Sequence, residues 1–400
     1  MAYRPLQGVR VLDLTNVLAG PFACHQLAHL GAEVIKVEAR GTGDLARQLG
    51  ADPELNRRGM GASFLAQNAG KRSITIDLKH PQGKAVFRRL VQGAQVVVEN
   101  FRPGVMQRLG LGFDALLADN PGLIYCAISG FGQDGPLRDL PAYDQIVQGM
   151  SGAMSITGSA ESAPLRVGYP VADTIGGMTA AYAIAAALAD RGRTRGCMID
   201  ISMLESILAT MGWAVSNYLV AGRQAQPMGN ENMTASPSGT FQTGDGLLNI
   251  AANRQSQFEA LCRVVGRPDL VEDPRFAERE ARLRHRFELK AEIERALQAK
   301  SAEQWWPLLT AASVPAGPVY TVPQALQHPQ IAGRGMVATF KDAPGVDRDI
   351  SVLRTGIKLD GEPPAVDAPP PVLGQHTEAI LAEIGFTAQE IQTLKAEQAV

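Results

Sequence analysis

The sequence predicts an α/β protein: a Rossmann-like large domain with a mostly parallel sheet, followed by a smaller α+β domain. Three observations carry this. β-rich runs alternate with helical patterns across residues 9–202, the signature of parallel strands joined by crossover helices. Gly31 closes the first helical stretch just before Glu33-Val-Ile-Lys-Val-Glu38, which completes a βαβ unit. Composition then shifts at residues 224–246, a loop-like stretch holding Pro227, Gly229, Asn230, Pro237 and Gly239, and the helices beyond it are charged and amphipathic.

In order, residues 9–14 read as the first strand and Gly20-Pro21 as the start of a helix, since proline at the first helical position gives up an N–H that lacks a partner anyway. Strands follow at residues 33–38, 73–77, 95–99 and 123–128, with helices at 81–92 and 113–119 between them. A long small-residue helix comes after Asp173, then a strand at 194–202 and a helix rich in Ala, Leu and Met at 203–221. The second domain takes a strand at 247–252 and helices at 256–265, 282–300 and 302–312. The chain thus divides into a large domain over 1–223, a small domain with its linkers over 224–330, and a linker with a C-terminal return over 331–400. Within the last part, the proline-rich run at 362–371 spans distance without folding.

With 45% hydrophobic and 20% charged residues the composition is that of a globular protein, and a net charge of −2 supplies no field for nucleic acid or an anionic membrane. The longest apolar run, residues 178–189, is too short to span a bilayer, and the N-terminus carries no apolar h-region, so neither a membrane partner nor a signal peptide is expected. Four scattered cysteines fit a reducing cytoplasm and signal neither zinc nor disulfides.

The stretch Arg166-Val-Gly-Tyr-Pro-Val-Ala-Asp173-Thr-Ile-Gly-Gly places a lone acidic residue where an extended segment gives way to a helix. As an N-cap, Asp173 accepts N–H bonds from the first turn and stays ionised at the positive end of the helix dipole. Gly176 and Gly177 leave that turn bare for a ligand, and an anion in a partly apolar niche is also a candidate nucleophile. The residues by themselves leave both roles open.

Other patterns are weaker. Gly130-Phe-Gly132-Gln-Asp-Gly135 has dinucleotide-motif spacing after a strand, but Pro136 and Pro141 leave no room for the helix that the motif needs. His25 and His29 share a helix face without a third metal ligand at a telling spacing, so a structural pair is expected. Glu38 ends its strand either as a ribose ligand or as a solvated carboxylate.

Leu6-Gln-Gly-Val-Arg-Val-Leu-Asp13, Gly31-Ala-Glu-Val-Ile-Lys-Val-Glu38, Gly70-Lys-Arg-Ser73, Val98-Glu-Asn-Phe-Arg-Pro-Gly104, Tyr143-Asp144, Ala172-Asp173 and Leu373-Gly-Gln-His-Thr377 occur in the order seen in the family III CoA-transferases. The chain resembles that family essentially end to end. The resemblance implies that Asp173 attacks an acyl-CoA thioester to give a mixed anhydride, and that CoA thiolate converts the anhydride into an aspartyl-CoA thioester. An acceptor carboxylate then runs the sequence backwards. Coenzyme A is implied as part of the substrate, with no metal and no further cofactor.

By similarity to formyl-CoA transferase, CoA lies against Leu18 and Ala19 in the first βα turn, Arg40, the run Ile76, Asp77, Leu78 and Lys79, and Asn100, Phe101 and Arg102. Arg108 and the segment Leu140, Pro141, Ala142 and Tyr143 complete the implied contacts. Arg102 and Arg108 have the guanidinium fork that grips phosphate, although surface arginines are as often solvated. This sequence departs from formyl-CoA transferase at Ala39, where that enzyme has Arg, at Leu18 for Gln, and at Pro141 for Lys.

The family also contains racemases of 2-methylacyl-CoA thioesters, which use a His immediately before an Asp. Tyr143 stands at that position, and a phenol titrating near about 10 is a poor base, which favours transfer over racemisation. A non-catalytic acyl-CoA-binding protein is the third reading. The segment at 229–239, in place of a glycine-rich loop, looks more like the acetyl-CoA:oxalate and succinyl-CoA:dicarboxylate members, so a small dicarboxylate acceptor such as oxalate is expected. The resemblance further implies a homodimer of interlocked rings.

Overall fold

The computed structural model describes residues 3–400. Six strands form one sheet: β1 (Arg10–Asp13), β2 (Glu33–Glu38), β3 (Lys71–Thr75), β4 (Val96–Glu99), β5 (Ile124–Ser129) and β6 (Cys197–Ser202). Their order is β3-β2-β1-β4-β5-β6 and every pairing is parallel. Val11 is in register with Val34 on one side and Val96 on the other. Because side chains alternate along a strand, each apolar run feeds two faces. Val11, Val34, Val96 and Cys126 pack with the helices Ala19–His29 and Val171–Ala189, whereas Leu12, Ile35, Val97 and Tyr125 pack with Pro81–Gln92 and the C-terminal helices.

Several boundaries differ from the sequence expectation for local reasons. β3 starts two residues early because Gly70, at φ +75°, turns the chain into it, and it ends early because the Asp77 carboxylate bends back to the Lys79 N–H. The helix expected over 203–221 is two, Met203–Thr210 and Gly212–Ala221, broken at Met211, whose N–H is shared by the carbonyls of Ile207 and Leu208. The helix expected over 282–300 divides at His285. The stretch at 224–246 is not all loop: Ser238–Gln242 pairs antiparallel with Leu247–Ala251, a strand that Pro237 and Gly239 disguise in the sequence. A further antiparallel pair, Val337–Phe340 with Ile350–Leu353, had no counterpart in the sequence reading.

The chain forms two compact units. The first comprises the chain up to Ala153, Arg166–Arg223 and Pro329–Val400; the second comprises Met154–Leu165 and Gln224–His328. In the first, the C-terminal segment lies along β3: the Ser73 N–H donates to His376 Nδ1 at 3.1 Å and the Thr75 N–H to Thr377 Oγ1 at 3.2 Å. The second has a three-stranded antiparallel sheet whose Phe241, Leu248 and Ile250 pack on Phe258, Leu261, Ile293 and Trp305.

The helix that carries Asp173, Val171–Ala189, begins seven residues before the apolar run counted from sequence, and by length and composition it could cross a bilayer. In the fold it buries Ala172, Gly176, Gly177, Ala180, Ala181 and Ile184 in the core, as a central helix of a globular unit does. Gly177 sets its distance from the Ala19–His29 helix, since a Cβ there would stand 2.4 Å from the Ala19 carbonyl oxygen. Gly177→Ala is therefore expected to lower the unfolding free energy by about 1–3 kcal/mol through overpacking. Urea denaturation checks it; an unchanged midpoint would remove the close-approach account.

Candidate active site

In open parallel sheets ligands bind beyond the carboxyl ends of the strands, where the strand order reverses. Here that point lies between β1 and β4, and a cavity of about 380 Å³ opens there. Asn16, Val17, Leu18 and Ala19 enter it after β1, Asn100, Phe101 and Arg102 after β4, and Ser129 and Gly130 at the end of β5. Leu140, Pro141, Ala142, Tyr143 and Asp173 also line it. The two switch-point loops hold each other: the Asn16 N–H donates to Asn100 Oδ1 at 2.8 Å, and Asn100 Nδ2 donates to the Asn16 carbonyl at 2.9 Å. A second cavity of about 460 Å³ lies over the ends of β1, β2 and β3, lined by Arg40, Ile76, Asp77, Leu78 and Lys79. Asn16 and Phe101 border both cavities, and Arg108 borders neither.

Asp173 is not the N-cap that its sequence context suggested. The helix starts at Val171, Pro170 occupies the cap position, and no side chain of that helix caps it. The capping carboxylate comes from elsewhere: Asp144 Oδ1 accepts the N–H of Ala172 at 2.8 Å and that of Asp173 at 3.4 Å, while Asp144 Oδ2 accepts Gln148 Nε2 at 2.6 Å. With those N–H groups taken, nothing among the described residues donates to the Asp173 carboxylate. Burial, with the Asp144 charge added, pushes its pKa from 3.8 up to about 7. The expectation of a comfortably ionised cap is thereby reversed: Asp173 is a poorly solvated carboxylate open to a cavity.

One other expectation changes. Glu38 is neither a ribose ligand nor solvated; it is buried, gripped by Arg47 Nε and Nη2 at 2.8 Å each and by Ser73 Oγ at 2.6 Å. His25 and His29 are buried with Nε2 atoms 3.0 Å apart, and burial holds His29 down to about 4 and His25 well below its usual range. Burial thus favours the neutral form of both rings, which face each other as a structural pair would.

Asn16, Ser129, Gly130, Arg138 and Met203 line the cavity without having been singled out as contacts. The signal for two of them was in hand: the glycine-rich run rejected as a dinucleotide motif begins at the end of β5, the edge at which ligands bind. Gly130 brings the walls together, as a Cβ there would lie 2.2 Å from that of Ala142.

Residues 6–377 match the family model described as CoA-transferase family III. The chain belongs to this family. As a family III CoA-transferase it is an enzyme that transfers CoA and works on CoA thioesters. It is 39% identical over 387 residues to the succinate–glutarate CoA-transferase of Agrobacterium fabrum, across 95% of this chain and 96% of that one. It is 42% identical over 335 residues to the acetyl-CoA:oxalate CoA-transferase of Acetobacter aceti, across 83% and 85% of the two chains. A solved CAIB/BAIF family protein from Brucella suis matches this transferase with a TM-score of 0.83 and 36% identity, over 95% of this chain and 99% of that one.

Proposed function

We propose that this transferase moves CoA from an acyl-CoA donor to a small dicarboxylic acid through a mixed anhydride and an aspartyl-CoA thioester on Asp173. The observation that supports it most is the Asp173 carboxylate, which lines the cavity, accepts no hydrogen bond from the described residues and is held near pKa 7 by burial and Asp144. An oxygen of Asp173 attacks the thioester carbonyl carbon, the C–S bond breaks, and an acyl-aspartyl anhydride and CoA thiolate result. The thiolate attacks the Asp173 carbonyl carbon and expels the donor acid as its carboxylate. The acceptor carboxylate then attacks the aspartyl thioester, expels thiolate and forms its own anhydride with Asp173; thiolate attack on the acceptor carbonyl yields the new acyl-CoA and frees Asp173. No net proton is taken up, and thioester energy is retained provided water is kept out.

In this reading the nucleotide end of CoA lies in the second cavity between Arg40 and Lys79, and the thioester end passes Leu18, Ala19, Asn100 and Tyr143 toward Asp173. Arg102 borders the first cavity and is the cation we assign to the pantetheine–phosphate path there. The relatives named for succinate, glutarate and oxalate support a dicarboxylate acceptor such as oxalate, with acetyl-CoA or succinyl-CoA as donor. The test is a panel of donor thioesters and acceptor acids, with CoA products separated by liquid chromatography. Exchange confined to aromatic or carnitine-like acids would overturn the dicarboxylate assignment.

The working form we propose is a homodimer, acting in the cytoplasm. Within its unit the helix Gly212–Ala221 buries none of its residues, and it exposes 80% of Trp213 and 87% of Val220, apolar surface that a second copy would cover. Light scattering should give twice the chain mass, unchanged on dilution; a monomer at micromolar concentration would remove the claim.

A further inference from the structure

Beneath the turn that carries Asn16, Val17 and Leu18 lie four charged side chains that the transfer chemistry does not use. Asp13, Lys36, Asp44 and Lys71 have side chains wholly out of solvent. Lys36 Nζ stands 2.9 Å from Asp44 Oδ2 and donates to the Thr15 carbonyl at 2.8 Å. Lys71 Nζ donates to Asp13 Oδ2 at 2.8 Å and to the Pro21 carbonyl at 2.9 Å. The acids complete the cage: Asp13 Oδ1 accepts the Thr15 N–H at 2.9 Å together with its hydroxyl, and Asp44 Oδ1 accepts the Val17 N–H at 2.9 Å.

Most of the cage's backbone contacts thus land on one short stretch, from Thr15 to Pro21. In its middle Val17 has φ +68°, a left-handed conformation that a β-branched residue keeps only when its surroundings impose it. A buried ion cage is weak evidence of a stabilising role, since apolar residues of similar volume often replace buried ion pairs without loss. Asp13 is held ionised: burial raises its pKa, but Lys36 and Lys71 outweigh burial and keep the carboxyl below its usual range.

We propose that Lys36 and Asp44, with Asp13 and Lys71, are positioning residues: they force Val17 into the left-handed region and so set Asn16, Leu18 and Ala19 against the cavity that Asp173 shares. They touch no substrate and act only through the turn. The kinetic part of this inference rests on the assignment of Asp173 as the reacting group.

A double-mutant cycle tests it, read as turnover per folded enzyme with the best donor and acceptor of the panel. Glycine adopts the φ of Val17 without being forced, so in a Val17→Gly background the turn should no longer need the cage. Lys36→Met is expected to lower kcat about tenfold or more with Val17 in place, and less than about threefold in the Val17→Gly background. Equal losses in both backgrounds, or native kcat in folded Lys36→Met, overturn the proposal. If Lys36→Met does not fold, the same cycle is read on Asp44→Asn, which keeps the volume and an oxygen for the N–H groups but loses the charge. Hydrogen exchange on the native protein needs no turnover: the Val17 amide should exchange as slowly as those of β1, and exchange at the rate of an exposed amide also overturns the proposal. An active Asp173→Asn variant would instead sink the nucleophile assignment, while exchange at Val17 still judges the turn.

Discussion

Asp173→Asn is expected to lower CoA transfer by about 10⁴-fold or more, because a neutral amide cannot form the anhydride on which every later step depends. The fold should survive. Asp173 caps nothing, so neither Asn nor Ala at this position removes a hydrogen bond from the start of the helix. The variant should even gain stability above neutral pH. Asp173 has a folded pKa raised from 3.8 to about 7, so between those values the native state binds more protons than the unfolded chain. Native stability from this group is therefore full at low pH and is lost as pH rises through about 7, and the Asn variant lacks that decline. At pH 8 its denaturation midpoint should lie at or above the native one, with the difference vanishing below about pH 4. Incubation with acyl-CoA should leave CoA attached to the native protein at Asp173 and not to the variant. Turnover by a fresh Asn preparation, shown by mass spectrometry to be free of deamidation, would overturn the mechanism.

That experiment was conceivable from sequence, but its stability arm was not. The sequence context of Asp173 showed an acid at a helix start, and local statistics make such an acid a cap. What changes the outcome is Asp144, distant in the chain, whose carboxylate reaches the Ala172 N–H first. Long-range capture of this kind leaves no period in the sequence. The same holds for Glu38, whose burial depends on Arg47 and Ser73 arriving from separate elements. The parallel sheet was legible because its strands are short apolar runs separated by helices with clear ends, and Glu33–Glu38, Pro81–Gln92 and Phe113–Asp119 fall where periodicity puts them. Breaks inside helices, as at Met211 and His285, were not legible, since the residues on either side keep the helical pattern. The cavity walls were reached through family resemblance; composition and spacing alone pointed to Asp173 and no further.

Asp144→Asn is the second large effect and separates the two jobs of that carboxylate. An amide keeps one oxygen for the Ala172 N–H, so the helix start should hold. Its Nδ2, however, now meets Gln148 Nε2, and Gln148 cannot turn over without losing the bond from the Val167 N–H to its Oε1. Leaving that buried contact unmatched should cost about 1–3 kcal/mol of stability. The electrostatic consequence is on the reaction. Native turnover should fall about tenfold per pH unit below about 7, where Asp173 takes up its proton. Burial is the larger cause of that raised pKa and remains in the variant; the Asp144 charge is the smaller and is removed. The acid limb of kcat/KM should therefore move to lower pH, by less than the whole rise from the ordinary carboxylate value, since burial still raises Asp173 in the variant. At pH 8, where both enzymes are ionised, the variant should turn over about threefold more slowly, because a less basic carboxylate is a weaker nucleophile and the rate follows basicity with a partial Brønsted slope. Arg102, Arg138 and Tyr143 also border this cavity and are unchanged, so they contribute equally to both profiles. An acid limb that stays in place in a folded Asp144→Asn enzyme would show that the Asp144 charge does not set the basicity of Asp173, and its role would reduce to holding the helix.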